Sequence, residues 1–547
     1  RLLRILVDPG DLETRKAQRD RLTLVLLNQI PRLPRLRPNF WSLLLLSTLF
    51  NWKAEAKNLR MPACAAFAIC DFAACSSLGT PPSLPNLQLQ TLSPLPTTIQ
   101  SFPPEILIKI IETLWQDSRR GIYRVLADIR NCVQVSQHLH AIALPFLYAH
   151  IPISSSHVFA EFLQTLKRTG NGKLVRSLDF SGFTAVGLSR SQRMNQEIQL
   201  FTAKTLLECL NLLPNLEELY LTEAVEPDLD IQIFCKIFTG LQKLRILDLC
   251  SATGELFRTS LSTFAKSEYS TSKTSPFPDF QRLSFYECNN LSASVFEGML
   301  PRCARLTFLD LSRTNVTSRA LLSIPNSCRL THLSLSRCTS LTGSAIIQFL
   351  ATHPAALTLA HLDLYFERTR VYPLTLADLN CLLPRLPRAM VWLDLGGSPI
   401  TDAQLRFLPP ALGELGIMNT EVRCNGIQTA IENYLPNIGY LDLRGRAKHG
   451  LTHTEIIHFI YWVQMGSNKI RSLEFDRQVL KFLQGLPSND HPQSWNVVSD
   501  RGRREWYVKN AEVLRNPIGR WHERKLNLLR RRRYDVRASY RYYSYEK

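Results

Sequence analysis

A leucine-spaced repeat is the feature of this sequence that most constrains its fold. The clearest copy is RLTHLSLSRCTSL at Arg329–Leu341, with the pattern Leu-x-x-Leu-x-Leu-x-x-Cys-x-x-Leu. The first apolar residues alternate as a strand requires, and the last two turn inward as the chain leaves the strand. One such unit cannot bury its own apolar face, so it needs neighbours stacked on both sides. The repeat therefore predicts a solenoid.

Eleven segments fit the same apolar-x-x-apolar-x-apolar template, and seven of their ten successive spacings lie between 22 and 31 residues. Leucine-rich repeats have a period of about 20–29 residues. Runs with helical spacing lie between the strands, such as Thr205–Leu213 and Ala345–Thr352. The predicted fold class is α/β, a leucine-rich-repeat solenoid of about eleven strand–helix units over residues 154–480. The central strand residues are Leu178, Leu219, Leu247, Leu283, Leu309, Leu333, Leu362, Leu393, Leu415, Leu441 and Leu473.

The cysteine pattern and the charge distribution limit the cellular compartments and the kinds of partner that are expected. The 13 cysteines are scattered singly, with no C-x-x-C pair, which favours reduced thiols and a cytoplasmic or nuclear protein. The net charge is +19, and residues 501–547 hold 15 Lys/Arg against 5 Asp/Glu. We expect residues 481–547 to form a basic C-terminal tail, interpreted as a nuclear-import signal or a solvated helix. Nucleic-acid binding through this tail is a less favoured interpretation, because no RNA-binding fold accompanies it.

Residues 1–100 are predicted to form a poorly ordered N-terminal region that ends in a Pro/Ser-rich linker at 76–100. The apolar run Phe40–Phe50 has 11 residues, fewer than the roughly 20 that a membrane-spanning helix needs. We therefore predict no membrane segment. The sequence starts with Arg1, and Met61 is a candidate initiator.

Helical spacing replaces the strand pattern over residues 101–153. Pro103 and Pro104 stand where a helix can begin, and Glu105 suits the first turn of a helix. The apolar stripe that follows contains Ile106, Leu107, Ile110, Ile111 and Leu114. Two further amphipathic runs follow. We expect a small three-helix bundle. The pattern alone favours a role for this bundle as a cap on the first repeat.

The two segments FPPEILIKIIETL and CVQVSQHLHAIALPFLYAHI together resemble an F-box, whose first helix carries Leu-Pro-x-Glu-Ile/Leu-Leu and whose next part carries Val-Ser-x-x-Trp. The cysteine slot of the repeats resembles the cysteine-containing leucine-rich-repeat subclass, which is frequent in F-box proteins. The resemblance implies docking on a Skp-type adaptor, and through it on a cullin, while the repeats select the target. The adaptor-binding residues that it implies are Phe102, Pro103, Glu105, Ile106, Leu107, Ile110, Val135, Ser136 and, at the Trp position, Leu139.

The residue between the last two apolar positions of each repeat is predicted to project onto the concave face of the sheet. Seven of these eleven residues are acidic. They either supply solubility and strand-edge hydrogen bonds, or form a negative stripe that captures a basic segment of a protein target. For the second case, the candidate target-binding residues are Asp248, Asp310, Phe308, Asp363, Tyr365, Trp392, Asp394, Tyr440 and Asp442. Reversal of Asp363 and Asp394 to Lys is then expected to abolish capture and to leave the fold intact.

No catalytic or metal-binding signature emerges from the sequence. Gly170–Lys173 lacks the spacing of a phosphate-binding loop, and the two histidines of His453–His458 miss the i, i+4 spacing of a zinc helix by one residue. We predict a protein that is not an enzyme and needs no cofactor. The first interpretation is a substrate-recognition subunit of an SCF-type ubiquitin ligase. The alternative is a leucine-rich-repeat scaffold that acts independently of ubiquitination.

Overall fold

The structure is a computed structural model, and it describes residues 102–116, 122–183, 200–267, 277–367, 372–445, 453–466, 468–485, 495–500 and 504–509. Contacts divide the chain into two units, with a boundary between Leu147 and Tyr148. The predicted N-terminal region 1–100, its apolar run and residues 510–547 lie outside the described residues. Among the helices that are described, none is long and apolar enough to cross a bilayer.

The N-terminal unit contains three helices, α1 at Pro104–Gln116, α2 at Ile122–Val135 and α3 at Gln137–Ala149. Its core combines apolar residues from all three helices, because each helix buries its apolar side against the other two. The core residues with at most 1% exposure are Leu107, Ile111, Leu114, Val125, Ile129, Cys132, Leu139 and Ala143.

Ser136 separates α2 from α3. The Leu139 amide donates to Ser136 Oγ at 3.2 Å, and the His140 amide donates to the Ser136 carbonyl at 2.8 Å. Ser136 is therefore the N-cap of α3, which satisfies an amide that has no partner within the helix.

The second unit is built on one sheet, in the order β1 to β12 followed by β14 and β13. Strands β1 to β12 run parallel, and β13 and β14 form an antiparallel hairpin on β12. The strands are β1 His150–Pro152, β2 Ser177–Asp179, β3 Glu218–Thr222, β4 Ile246–Cys250, β5 Arg282–Ser284, β6 Phe308–Asp310, β7 His332–Ser334, β8 His361–Asp363, β9 Trp392–Asp394, β10 Glu414–Gly416, β11 Tyr440–Asp442, β12 Ser472–Glu474, β13 Trp495–Asp500 and β14 Arg504–Lys509.

Helical segments connect the parallel strands. The α-helices are α4 Ser156–Thr169, α5 Ala203–Asn211, α6 Ile231–Cys235, α7 Glu255–Lys266, α8 Ala293–Met299, α9 Ser318–Leu322, α10 Gly343–Thr352, α11 Leu376–Leu382, α12 Cys424–Asn433, α13 His453–Met465 and α14 Arg477–Gln484. Short 3₁₀ segments occur at Asn171–Leu174, Glu223–Asp228, Leu300–Arg302, Pro354–Ala356, Leu383–Arg385 and Asp402–Phe407, and a π-helical turn at Lys236–Gly240 follows α6.

The eleven leucines predicted as strand centres lie one each in β2 to β12, and all are at most 2% exposed. Neighbouring strands keep them in register, as Leu333 pairs with Leu309 on one side and Leu362 on the other. Each buried leucine contributes on the order of 1.5–3 kcal/mol through the apolar area that it removes from water. The predicted leucine-rich-repeat solenoid is confirmed.

The chain turns in a left-handed conformation four residues after the central leucine in many of the units. In six of these units the amide of the turn residue donates to a backbone carbonyl of the next unit, as Arg337 N does to Tyr365 O at 2.9 Å; Gly445 N instead donates to the Asp476 carboxylate at 2.7 Å. The ladder of backbone hydrogen bonds thus continues into the turn and holds it there, even where a non-glycine residue occupies it. The left-handed residues at this position are Ser251, Glu287, Arg313, Arg337, Gly397, Asn419 and Gly445, with φ of 55–80°.

The cysteine slot links consecutive units. Cys338 Sγ lies 2.9 Å from Leu311 O and Cys288 Sγ lies 2.8 Å from Leu249 O, each thiol donating to a carbonyl of the preceding unit. Both side chains are fully buried. Burial raises the pKa of Cys338 to about 12 and that of Cys288 well above its usual value. The inward turn predicted for the cysteine position of the repeat is thus confirmed for both thiols.

Three strands lie outside the predicted template. β1 precedes the first predicted repeat, within residues that the sequence pattern assigned to the helical module. β13 and β14 lie within residues 481–547, which were expected to form a tail. Trp495 and Tyr507 of the hairpin stack at 5.0 Å between ring centroids and are both buried. The hairpin covers the edge of β12, which would otherwise present unpaired backbone groups.

Candidate functional site

Three of the predicted adaptor-binding residues belong to the core of the helical unit. Phe102 is 9% exposed, and Leu107 and Leu139 are each 1% exposed. They lie inside because the apolar stripe of α1 is buried against α2 and α3. These three side chains therefore hold the bundle together rather than lie on its surface, and their predicted part in adaptor binding stays a prediction.

The other predicted adaptor-binding residues reach the surface to different degrees. Pro103 and Glu105 are exposed at the start of α1. Ile106, Ile110 and Val135 are half-buried, with one side packed against the core. Ser136 is also half-buried and caps α3, as described above. These residues remain the candidates for contact with an adaptor.

Ile108 is a surface residue that the motif comparison did not single out. Its side chain is 38% exposed, and it lies two positions from both Ile106 and Ile110. Residues two apart point about 200° away from each other around a helix, so Ile108 faces away from the buried stripe. The signal in the sequence was that the run of Ile106–Ile111 contains more apolar residues than one stripe needs.

A row of rings lies along the concave side of the sheet. Phe308, His332, His361 and Trp392 occupy the same register position on β6 to β9. The centroids of successive rings are 5.7, 4.0 and 6.3 Å apart, and the two imidazole rings are stacked with planes 15° apart. His332 and His361 are half-buried, whereas Phe308 and Trp392 are each 3% exposed.

The ring row borders a small hollow whose other walls include Asp310, Ser334 and Asp363. Its volume of about 20 Å³ is room for about one water molecule. This part of the concave side can therefore act as a contact surface for a macromolecule, but not as a cavity for a small ligand.

The acidic residues that follow the central leucines form a column and accept backbone hydrogen bonds, which is the first of the two roles considered for them from the sequence. In five units the carboxylate accepts a hydrogen bond from the amide two residues further on. These bonds join Ser181 N to Asp179 (2.8 Å), Ser312 N to Asp310 (2.9 Å), Tyr365 N to Asp363 (3.0 Å), Gly396 N to Asp394 (2.9 Å) and Arg444 N to Asp442 (3.2 Å). Each aspartate thereby fixes the turn at the end of its strand, where the ladder leaves an amide to be satisfied.

The acidic residues at the C-terminal end of the column also form ion pairs. Arg444 Nη2 lies 2.7 Å from Asp442 Oδ2, and Arg444 Nε lies 3.2 Å from Glu474 Oε1. The Tyr440 hydroxyl donates to the same Glu474 carboxylate. These contacts offset the negative charge of both acids within the protein itself.

The nine predicted target-binding residues are all buried, with Tyr365 the most exposed at 8%. The expectation that the aspartates project freely is therefore corrected, and the aromatic contact area expected of the other four is almost entirely buried. The nine residues are Asp248, Asp310, Phe308, Asp363, Tyr365, Trp392, Asp394, Tyr440 and Asp442. Their role in target binding stays a prediction. His332 and His361 are more exposed members of the same face. They were not among the predicted residues, although Phe308 and Trp392, which share their register position, were.

Within the residues that the structure describes, no group of three or more His, Cys, Asp or Glu side chains is placed to hold a metal ion.

The sequence is similar to that of a curated yeast protein. The chain is 29% identical over 452 residues to the F-box protein YLR352W of Saccharomyces cerevisiae, an alignment that covers 76% of this chain and 53% of the yeast protein. The chain thus spans about half the length of the curated relative that it matches. No family model matches the sequence.

Among solved structures, an internalin from Listeria monocytogenes aligns with 42% of this chain and 75% of its own, at 15% identity and a TM-score of 0.24. The solenoid itself is established by the strand pairing described above. The resemblance expected from residues 102–153 and from the repeats is confirmed to this extent: the chain folds as a leucine-rich-repeat solenoid and is similar in sequence to a yeast F-box protein.

Proposed function

We propose that this chain is the substrate-recognition subunit of a cullin-type (SCF) ubiquitin ligase. The helical unit binds a Skp-type adaptor, and the concave side of the repeats binds a protein target. The observation that carries the proposal is the F-box-like motif on α1, with exposed and half-exposed apolar side chains, in a chain related to an F-box protein.

The adaptor surface centres on Ile108, on the exposed side of α1, with Pro103 just before the helix. Ile106 and Ile110 lie on the opposite, half-buried side and add only the part of their side chains that reaches the surface. These side chains expose apolar area that water solvates poorly, and burying it against a complementary surface favours association. Leu107 and Leu139 contribute by keeping α1 in position, because they pack in the core beneath it.

The target surface is the ring row together with the polar side chains beside it. Aromatic rings and imidazoles give large contact areas with few rotatable bonds, which is typical of the central residues of protein interfaces. The hidden aspartates keep the row in position by fixing the turns of their units.

No residue of the chain forms or breaks a bond in this function. The protein accelerates ubiquitin transfer by holding a target close to the enzyme that the cullin assembly recruits, so its contribution is proximity and orientation. The proposal assigns this activity to the cytoplasm, the nucleus or both.

Binding to a purified Skp-type adaptor tests the proposal directly. We expect the intact chain to retain the adaptor in a pull-down and Ile108→Asp to lose it, with unchanged circular dichroism because this side chain is exposed. Lys109→Ala is the matched control: its side chain is 62% exposed and forms an ion pair with Glu112 across the helix surface. It should bind as the unmodified chain does.

Failure of the intact chain to bind the adaptor would contradict the ligase proposal. If such a chain still captured a protein partner through the repeats, the scaffold interpretation would replace it. Retention of the adaptor by Ile108→Asp would show that the surface of α1 described here is not the docking surface.

A further inference from the structure

A second cavity lies at the C-terminal ends of β5 to β8, among the turns that follow these strands. Its volume of about 310 Å³ falls in the range of pockets that receive a small ligand or a protein side chain. Its walls include Arg313, Arg337, Asn315, Thr339, Phe366 and Glu367.

Two arginines and two glutamates from four successive turns surround this cavity. Arg313 Nη1 donates to Glu287 Oε1, and Arg337 Nη1 lies 2.5 Å from Glu367 Oε1. The order from unit to unit is therefore acid, base, base, acid. Adjacent strands are about 4.8 Å apart, so guanidinium groups from these two neighbouring units can reach the same bound group.

The two arginines occupy turn positions with a left-handed backbone, which is unfavourable for residues with large side chains. Arg313 has φ 57° and Arg337 has φ 58°, a region that favours glycine and asparagine over larger residues. Gly397 and Asn419 fill the equivalent positions in later units. The backbone turn therefore does not itself require an arginine.

Arg337 is held in place before any ligand arrives. Its guanidinium carbon lies 4.9 Å from the centre of the Tyr365 ring, and Nη2 donates to the Tyr365 hydroxyl at 3.2 Å. Its side chain is 12% exposed, whereas that of its partner Glu367 is 42% exposed. The carboxylate can therefore leave for water while the guanidinium stays.

We propose that this cavity binds an oxyanion, a phosphate or carboxylate group, between Arg313 and Arg337. Planar guanidinium groups match such groups by paired N–H donors. Glu367 is the internal counter-ion that the ligand displaces from Arg337, and the exposed Asn315 and Thr339 add polar donors at the rim. The site is independent of the ligase proposal, because it uses neither α1 nor the ring row.

Titration calorimetry of the full chain at low salt tests the site with two probes, inorganic pyrophosphate and a hexaglutamate peptide. We expect Arg313→Asn and Arg337→Asn each to weaken binding by about tenfold or more, since each removes a charged donor pair. Asparagine is chosen because Asn419 already adopts this turn. Glu367→Gln should strengthen binding several-fold, because it removes the competing carboxylate. Arg329→Gln, at the other end of the same repeat, is the control and should bind normally.

Binding of pyrophosphate would assign the cavity to a small phosphate-bearing ligand, and binding of the peptide alone would assign it to an acidic protein segment. Either result supports the site if the variants behave as stated. Absence of binding by both probes would overturn it, as would affinities that both asparagine variants leave unchanged. Weaker binding by Glu367→Gln would also overturn it, and a gain in affinity cannot arise from damage to the fold.

Discussion

The imidazole rings of His332 and His361 stack face to face, with centroids 4.0 Å apart and planes 15° from parallel. They stand on adjacent strands at the same register position. The stack extends to Phe308 on one side and Trp392 on the other. Four consecutive units are thereby joined on the concave side by side-chain contacts, in addition to the backbone ladder.

Replacing His361 with Ala should lower the free energy of unfolding by about 1 kcal/mol, because it removes ring contacts to both neighbours in the row. His361→Phe keeps a planar ring in the same place and should stay within roughly 0.5 kcal/mol of the unmodified chain. Urea denaturation followed by circular dichroism measures both. Equal losses for the two variants would show that stacking does not stabilise the row.

Asp363→Ala should destabilise the protein by about 1–3 kcal/mol, because the buried Tyr365 amide loses its acceptor. Asp363→Asn retains a carbonyl oxygen at the same place and should recover most of that loss. The charge reversals Asp363→Lys and Asp394→Lys offer no acceptor, so we now expect them to damage folding. Thermal unfolding of the three types of variant distinguishes these outcomes, and a fully stable lysine variant would contradict the turn-fixing role.

The buried thiols should make the protein sensitive to alkaline pH. Burial raises the pKa of Cys303 and Cys338 to about 12, above the value near 8.5 of an unfolded thiol. The folded state then binds more protons than the unfolded state between these values, so stability is complete below about pH 8.5 and falls as pH rises towards 12. One thiol accounts for a slope of up to about 1.4 kcal/mol per pH unit.

Urea denaturation at a series of pH values from 8 to 11 measures this slope. Cys338→Ser keeps a hydrogen-bond donor that does not titrate in this range, so its stability should depend less on pH. In a matched labelling experiment at pH 8, iodoacetamide should modify the exposed Cys381 before the buried Cys303 and Cys338. Rapid modification of Cys338 in the folded protein would contradict its burial.

Tyr507→Ala should loosen the C-terminal end of the solenoid. Tyr507 is 1% exposed, stacks on Trp495, and its hydroxyl accepts from Gln464 Nε2 at 2.8 Å. Its loss should cost about 3–5 kcal/mol, as large aromatic truncations in cores do. Hydrogen exchange should accelerate first in β12, the strand that the hairpin covers, while β6 to β8 stay protected. Uniform acceleration along the sheet would mean that the units unfold together.

The repeat pattern alone predicted most of the solenoid because its requirements are local. Leu333 and its counterparts must be buried and spaced by one unit, and both conditions are visible in the sequence. β1 escaped prediction because its short segment, centred on Ile151, has no leucine at any template position and follows directly on a helical run. β13 and β14 escaped because a hairpin that pairs antiparallel with β12 shares no period with the repeats.

The candidate site was less accessible from the sequence. The position of Asp363 on the concave side was predictable from strand alternation, but its bond to the Tyr365 amide depends on the turn that follows. The charge sequence of Arg313 and Arg337 with their carboxylates arises between units, so residues more than 20 positions apart must first be brought together. The exposure of Ile108 could be recognised only once the burial of the neighbouring isoleucines was known.

The hairpin at the end of the sheet fixes how far the concave side extends. Since β14 runs antiparallel to β12, a further repeat cannot stack there with the same register. From β1 to β12 there are eleven steps between strands, and at about 4.8 Å each they span roughly 53 Å. This distance equals the length of an α-helix of about 35 residues. A helical partner shorter than about 35 residues therefore covers only part of these twelve strands, so its binding site must be specified by the side chains of particular units.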